Sequence, residues 1–345
     1  MNAPLPTISH EVEETILDAV DKFLERDVRQ HVLALEHADE YPHDIVEGMK
    51  ELGLFGAIIP EEYGGLGLPA STYAKIVERV SAVWMSLSGI FNSHLIMAAA
   101  VVRFGTEEQK RKWLPKFASG EIRGGLALTE PNCGTDLQAI RTVAKRDGDE
   151  YVINGTKTWI SNGIYGSAFA LLVKTDPAAQ PRHKGTSLFI ADKREGFTVS
   201  RKLEKLGYKG IDSAELVFED YRVPADQLIS GEEGRGLPHA LGGLELGRIN
   251  IAARGVGVAR SALELAVKYS QERETFGEPI HNHQAIQIKL ADMATRLEAS
   301  KHLMNAAAAA YDKGERCDME AGMAKLYATE TALYNATESM RIHGA

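Results

Sequence analysis

The apolar residues of this 345-residue chain change their spacing twice, and that change limits the folds open to it. Up to about residue 121 they recur at helical steps. Ile16, Val20, Phe23 and Leu24 form one run; Ile45, Met49 and Leu52 form the next, which stops at Gly53. "PEEYGGLGLPA", Pro60 to Ala70, then breaks the chain with Pro60 and three glycines. A further helix is expected through "STYAKIVERVSAVW", and a short amphipathic one in "GTEEQKRKWLPKF", capped by Thr106. From about 122 to 230 the period falls to two. Strands read as "DEYVINGTKTWIS", "FALLVKT", "GTSLFIAD", "FTVSRKLEKL" and "AELVFEDYRVP", the last ended by Pro224. Asn154-Gly155 is expected to be a hairpin turn, because a two-residue turn needs positive φ at both positions. No helices alternate with these strands, which argues against a parallel doubly wound sheet. Helical spacing then returns. It runs through Ile249, Ala252, Val256, Ala259, Leu263 and Ala266, then Ile286, Leu290, Met293, Leu297 and Met304, and finally Leu326, Leu333 and Met340. The prediction is an α+β chain of several domains. It has an all-α part over 1–121, an antiparallel β-barrel-like part over 122–230 and a C-terminal helical bundle over 231–345.

Composition closes off several classes. Net charge is −9 with no basic block, which argues against a nucleic-acid partner. Two cysteines, Cys133 and Cys317, make no disulfide framework, so reduced thiols and a cytoplasmic setting are expected. "MNAPLPTISHEVEET" lacks the pattern of a signal peptide, and no apolar run is expected to reach the length of a membrane span. No HExxH, CxxC or GxSxG occurs, so zinc-hydrolase and serine-hydrolase readings have no local support and no metal is expected. "GVGVAR", Gly255 to Arg260, lacks the third glycine of a dinucleotide fingerprint and sits inside a helical period. Helix packing through small residues is the expectation there. His281 and His283 lie two apart and face different ways.

Reactive residue types gather in "LALTEPNCGTDLQAIRT", Leu126 to Thr142. Pro131, Asn132 and Gly134 build a turn among Thr129, Glu130, Cys133, Thr135 and Asp136. A nucleophilic Cys133 needs a base and a positive setting, and neither is visible. Glu130 and Asp136 can be read as an acid–base pair or as loop caps and salt-bridge partners, since turn-building Asp and Asn bond local backbone. Spacing alone leaves the choice open.

This stretch, followed by "GDEYVINGTKTWISNG", resembles the acyl-CoA dehydrogenase family. The resemblance runs the length of the chain: "PEEYGGLGL" early, "LEKLGYKGIDSAELVFEDYRVP" in the middle, and "LELGR" and "RETFGEPIHNHQAI" late. Cys133 departs from it, standing where the family has Gly, Ala, Ser or Asn. The resemblance implies a flavoenzyme with FAD between the β domain and the bundle. It also implies a homodimer or homotetramer in which a neighbour completes the FAD site. The implied reaction removes the α and β hydrogens of an acyl-CoA thioester, giving a trans-2-enoyl-CoA. A carboxylate takes the α proton and flavin N5 accepts the β hydrogen as hydride. Electrons then pass to an electron-transfer flavoprotein.

By the same resemblance, Trp159 is the flat wall against the flavin, and the backbone of Ile160 and Ser161 reaches the ring near N5. Leu126, Leu128 and Thr129 meet the other side, with the Thr129 hydroxyl and amide as donors. Thr135 stands where the family contacts the CoA ester. Glu245 and Arg248, three apart on one helix face, stand at positions that contact the pantetheine arm. Arg273, Phe276 and Gln284 stand around the FAD diphosphate and adenine.

The family's glutamate base has two known places. One is a loop that follows "RIHGA", so by the resemblance the chain and its C-terminal bundle are expected to be truncated relative to the family, with the base beyond Ala345 and no catalytic residue assigned within the chain. The other falls on Gly247, which has no side chain. Glu245 lies about 200° further round the helix. "SAVWMSLSGIFNSHLIM", expected to line the acyl pocket, carries no Arg or Lys, which favours a plain acyl chain over a dicarboxylyl one. An acyl-CoA oxidase of the same fold and a non-catalytic scaffold are the rival readings.

Overall fold

The computed structural model describes residues 7–344. Four of the first five helices are short or ordinary: α1 (His10–Phe23), α2 (Val32–Ala38), α3 (His43–Glu51) and α5 (Glu107–Ala118). α4 (Ala70–Phe104) is long and kinks at Trp84, where φ −155° and ψ 104° leave the helical region. Thr106 caps α5 as expected. Its hydroxyl accepts from the Gln109 amide, and the Gln109 side chain accepts in return from the Thr106 amide. Such a reciprocal pair satisfies two amides that the first turn leaves orphaned. Asp312 does the same for α4 from a distant part of the chain, accepting from the amides of Ala70 at 2.6 Å and Ser71 at 3.1 Å.

Seven strands follow: β1 (Gly124–Ala127), β2 (Val143–Asp147), β3 (Glu150–Ser161), β4 (Ala168–Lys174), β5 (Thr186–Asp192), β6 (Phe197–Lys202) and β7 (Ser213–Pro224). They form one sheet in the order β1-β4-β2-β3-β7-β6, with β5 paired to β4. Pairing is antiparallel except that β1 and the first residue of β2, Val143, run parallel to β4. The apolar run of β4 is buried on both faces. Phe169, Leu171 and Val173 join the cluster of Tyr151, Phe189, Phe218 and Tyr221, while Ala168, Ala170 and Leu172 pack with Met97, Leu114 and Phe117. A strand buried on both sides must be apolar throughout, as this one is.

The hairpin expected at Asn154-Gly155 is not there. β3 runs straight through both residues, and the β2–β3 turn falls at Gly148-Asp149, with Gly148 at φ 63°. Gly155 has φ 151°, a conformation that favours glycine, and lies hard against β2's approach: a Cβ there would stand 2.4 Å from Thr142 Oγ1. Asn154 instead bonds across to Asp220, where β3 and β7 lose register. The pair marks a close backbone approach rather than a turn.

The chain continues with α6 (Gly236–Gly242), α7 (Leu244–Glu272), a two-stranded hairpin of β8 (Glu274–Thr275) and β9 (Glu278–Pro279), α8 (Gln284–Asp312) and α9 (Asp318–His343). The hairpin turn is Phe276-Gly277, at φ 53° and 85°, so the two-positive-φ geometry sought at residue 154 occurs here. "GVGVAR" packs as expected. A Cβ on Gly255 would meet Ala328 O at 2.6 Å, and one on Gly257 would meet Glu78 O at 2.3 Å. α9 reverses an expectation. Leu326, Leu333 and Met340 point outward, and the buried face is Ala321, Ala324, Ala328, Thr331 and Asn335. Close helix approach at Gly255 leaves room only for small side chains on that face.

By internal contacts the protein forms two compact units, which cut across the three linear regions. One gathers the described residues of Met1–Leu33, Leu68–Ser88 and Glu245–Ala345; the other is Ala34–Gly67 with Gly89–Leu244. One helix, α4, exceeds the expected limit on apolar length: an 18-residue window has mean hydropathy 1.5. That window is 72% buried within the protein, so its apolarity is accounted for by core packing.

Candidate active site

In the β-containing unit, the chemistry starts from a bulge. Lys157 pairs with Leu216 and Ile160 with Ala214, so Thr158 and Trp159 together face one residue, Glu215. The extra residue flips the side-chain parity. Lys157 and Thr158 are buried, Trp159 is 59% exposed, and Ile160 is buried again. Trp159 sits at φ 59°, in the left-handed region that a large side chain rarely adopts. Asn162 follows at φ 60°, with its side-chain amide donating to Ile90 O and Gly124 O. Two left-handed residues therefore bracket Ile160 and Ser161.

An open groove of about 490 Å³ lies beside the indole, lined by Thr129 to Gly134, Thr158, Trp159, Arg201, Leu203 and Glu215. The Thr158 amide donates to Thr129 O at 2.9 Å, which sets the loop against the strand. Among the described residues the Thr129 hydroxyl has no hydrogen-bond partner. Leu126 lies in β1 opposite Ala170, and Leu128 is half-buried beside the same end of the sheet. Thr135 is exposed in the turn just after the groove's Gly134.

Glu130 is neither an exposed cap nor half of an acid–base pair with Asp136. Its carboxylate is buried and accepts four hydrogen bonds: from the Arg141 amide (2.6 Å), the Thr142 amide (3.0 Å), the Thr142 hydroxyl (2.6 Å) and the Lys157 ammonium (2.8 Å). Burial raises its pKa, but Lys157 and these donors outweigh that and hold it below the ordinary carboxyl value. Asp136 is exposed and caps the Gln138 amide at 3.2 Å. The Cys133 thiol is pushed up by burial and by Glu130, the opposite of what a nucleophile needs. Lys157 is the residue the sequence reading missed. A lysine at an inward strand position of a buried sheet was the available signal.

In the other unit, Glu245 and Arg248 lie one turn apart on α7, and Arg248 meets Asp318 at 3.7 Å. Asp318 opens α9 and also takes Arg316 at 2.7 Å, a partner the sequence did not suggest. Gly247 is buried in α7. Arg273, Phe276 and Gln284 are exposed around the β8–β9 hairpin, and the Arg273 guanidinium pairs with no carboxylate among the described residues. His281 bonds Ser270 O and His283 bonds Thr275, and no group of metal-binding side chains occurs among the described residues. The base expected beyond Ala345 lies outside the described residues.

These parts fit a flavin. An outward-facing indole gives a flat wall, and an unpartnered hydroxyl and an open groove give polar edges a place to bond. Helical, β and helical parts in that order, with such a wall, fit an FAD-dependent oxidoreductase. Residues 10–121, 125–221 and 234–345 match, in order, the N-terminal, middle and C-terminal domains of acyl-CoA dehydrogenase. An acyl-CoA dehydrogenase of Bacillus subtilis is 38% identical, over 97% of this chain and 89% of its own. The solved structure of butyryl-CoA dehydrogenase from Megasphaera elsdenii superposes with a TM-score of 0.94 at 32% identity, covering 99% of this chain and 90% of that one. A structure described as the electron transferring flavoprotein of Acidaminococcus fermentans gives 0.94 at 36% identity, covering 98% and 89%. The chain belongs to the acyl-CoA dehydrogenase family, and it is an FAD-dependent acyl-CoA dehydrogenase.

Proposed function

We propose that the substrate is a CoA thioester with a short, uncharged acyl chain, and that electrons leave for an electron-transfer flavoprotein. The substrate class is supported by the butyryl-CoA dehydrogenase likeness and by the lack of Arg or Lys in "SAVWMSLSGIFNSHLIM". The electron acceptor is supported by the likeness to a flavoprotein structure described in those terms. Trp159 stacks on the flavin, Thr129 donates its hydroxyl and amide to the ring's polar edge, and the Ile160–Ser161 backbone approaches from the bulge. Leu126 and Leu128 close the apolar side. Thr135 holds the thioester end of the substrate, and Glu245 and Arg248 hold its pantetheine arm. Arg273, Phe276 and Gln284 hold the diphosphate and adenine of FAD in a homodimer or homotetramer. When bound, FAD supplies a two-electron acceptor for the hydrogen lost from Cβ.

One observation carries this reading. Trp159 holds a costly backbone conformation, and what that conformation achieves is an exposed aromatic face beside a Thr129 hydroxyl that has no partner among the described residues. Strain of this kind, about 1–3 kcal/mol, persists where the surroundings fix it, and such residues cluster at ligand sites. The test is reconstitution of the purified protein with FAD, then addition of butyryl-CoA without oxygen. Flavin absorbance should appear; bleaching by substrate, with the 2-enoyl thioester as product, is expected of a chain that also carries the glutamate base. A folded protein that takes up no flavin refutes the assignment. Hydrogen peroxide formed in step with enoyl-CoA in air would move the reading to an oxidase.

A further inference from the structure

We propose that the buried Lys157–Glu130 pair is a positioning pair for the cofactor. It locks the Thr129 loop to the Trp159 strand, so that both faces of the flavin site stand in place before FAD arrives. This rests on the flavin reading above. Lys157 is fully buried and Glu130 is 2% exposed at the side chain, with N···O 2.8 Å. The ammonium also donates to Leu128 O at 3.0 Å, one residue before Thr129 and two residues before its own partner Glu130. Lys157 itself lies two residues before Trp159. The other three bonds to Glu130, from Arg141 and Thr142, tie the same loop to the residues that lead into β2.

A pair of this kind is a poor choice for stability alone, because well-packed apolar residues in place of a buried ion pair are often as stable or more so. What it offers is direction. Each bond fixes an angle between loop and strand, which an apolar contact does not. The Lys157 side chain also fixes the inward parity that turns Trp159 outward through the bulge.

The test compares the full chain with three variants: Glu130→Gln/Lys157→Met, which removes both charges at similar volume, Thr129→Val, and their combination. FAD affinity is read by flavin fluorescence, the bound flavin by visible circular dichroism, and folding by far-ultraviolet circular dichroism. The charge-free double variant should fold, lose ten- to a hundredfold in FAD affinity and change the bound-flavin signal. Thr129→Val should then cost much less in that background than in the natural chain, because the hydroxyl is no longer aimed. Costs that simply multiply, or affinity within twofold of the natural chain, overturn the proposal. If the double variant does not fold, Thr142→Val carries the test. It loosens the Glu130 carboxylate without leaving a charge unpaired, and should weaken FAD binding about threefold or more with the same coupling to Thr129. Unchanged binding there overturns the proposal. A natural chain that binds no FAD overturns this and the flavin reading together, whereas FAD binding that is equal in natural and variant chains overturns only the pair's role.

Discussion

Trp159 and Phe276 are both aromatic, both exposed and both left-handed, yet the protein holds them by opposite means. Trp159 stands on a bulge between long strands, over a buried ion pair. Phe276 is 98% exposed at the tip of a two-residue turn between two-residue strands. Asn or Asp would suit that turn position better than Phe. The contrast teaches where organisation is completed. Around Trp159 it is built into the unit; around Phe276 the hairpin holds the ring out, with the His283 ring edge-on at a centroid distance of 6.0 Å.

Breaking the braced side should have the largest effect. Lys157→Met alone leaves the Glu130 carboxylate buried with its amide donors but no cation. Loss of one partner of a buried pair costs about 3–5 kcal/mol, which urea unfolding would read as a large drop in midpoint. If the midpoint holds, the pair is not the brace described here. Next in size is His94, buried between Phe55 and Phe117 in the same unit, with Nε2 3.0 Å from Phe117 O. Burial, with a smaller push from Arg123, lowers its pKa from 6.5 to about 4. The folded protein thus keeps the ring neutral where the unfolded chain protonates it. The contribution is complete above about pH 6.5 and is lost as pH falls toward 4, to about 3 kcal/mol in all. His94→Gln should flatten the stability–pH curve across that window; a parallel curve would show that another group is responsible.

The unbraced side predicts a different pattern. Arg273→Ala should leave the unfolding midpoint unchanged and weaken FAD binding about ten- to a hundredfold, from loss of a charge-assisted bond of roughly 1.5–3 kcal/mol. A stability loss without a change in FAD affinity would reverse the comparison. The smallest effect belongs to Asp318→Asn. Its pair with Arg248 is partly exposed and should contribute under about 1 kcal/mol to stability. Calorimetry showing several kcal/mol would mean that the helical unit is braced here after all.

The sequence made some of this legible and hid the rest for physical reasons. The change of period exposed the helical and β stretches because burial of one face imposes it. The Thr106 cap showed because capping is local. Asn154-Gly155 misled because glycine serves close approach as well as turns, and only Thr142, twelve residues upstream of Asn154, decides between them. Phe276-Gly277 went unnoticed because phenylalanine is no turn signal. Lys157 was passed over because a lysine between threonines reads as solvent-facing. Its partner comes from a loop 27 residues away. The outward Leu326, Leu333 and Met340 kept a seven-residue spacing that looks the same on a buried face and on an open one.

Gly155 also decides where this chain can be opened. β3 is one continuous strand of twelve residues, bulged where Asn154 meets Asp220 and again at Thr158-Trp159, and neither irregularity is a turn. New termini or a grafted peptide belong at Gly148-Asp149, where nothing lies within 4 Å of the missing Cβ of Gly148. The same insertion at residue 154 would drive the backbone into Thr142 and lift that residue from Glu130. An engineer guided by the strongest turn signal in the sequence would therefore choose the point at which the strand bears most directly on the Thr142–Glu130 contact.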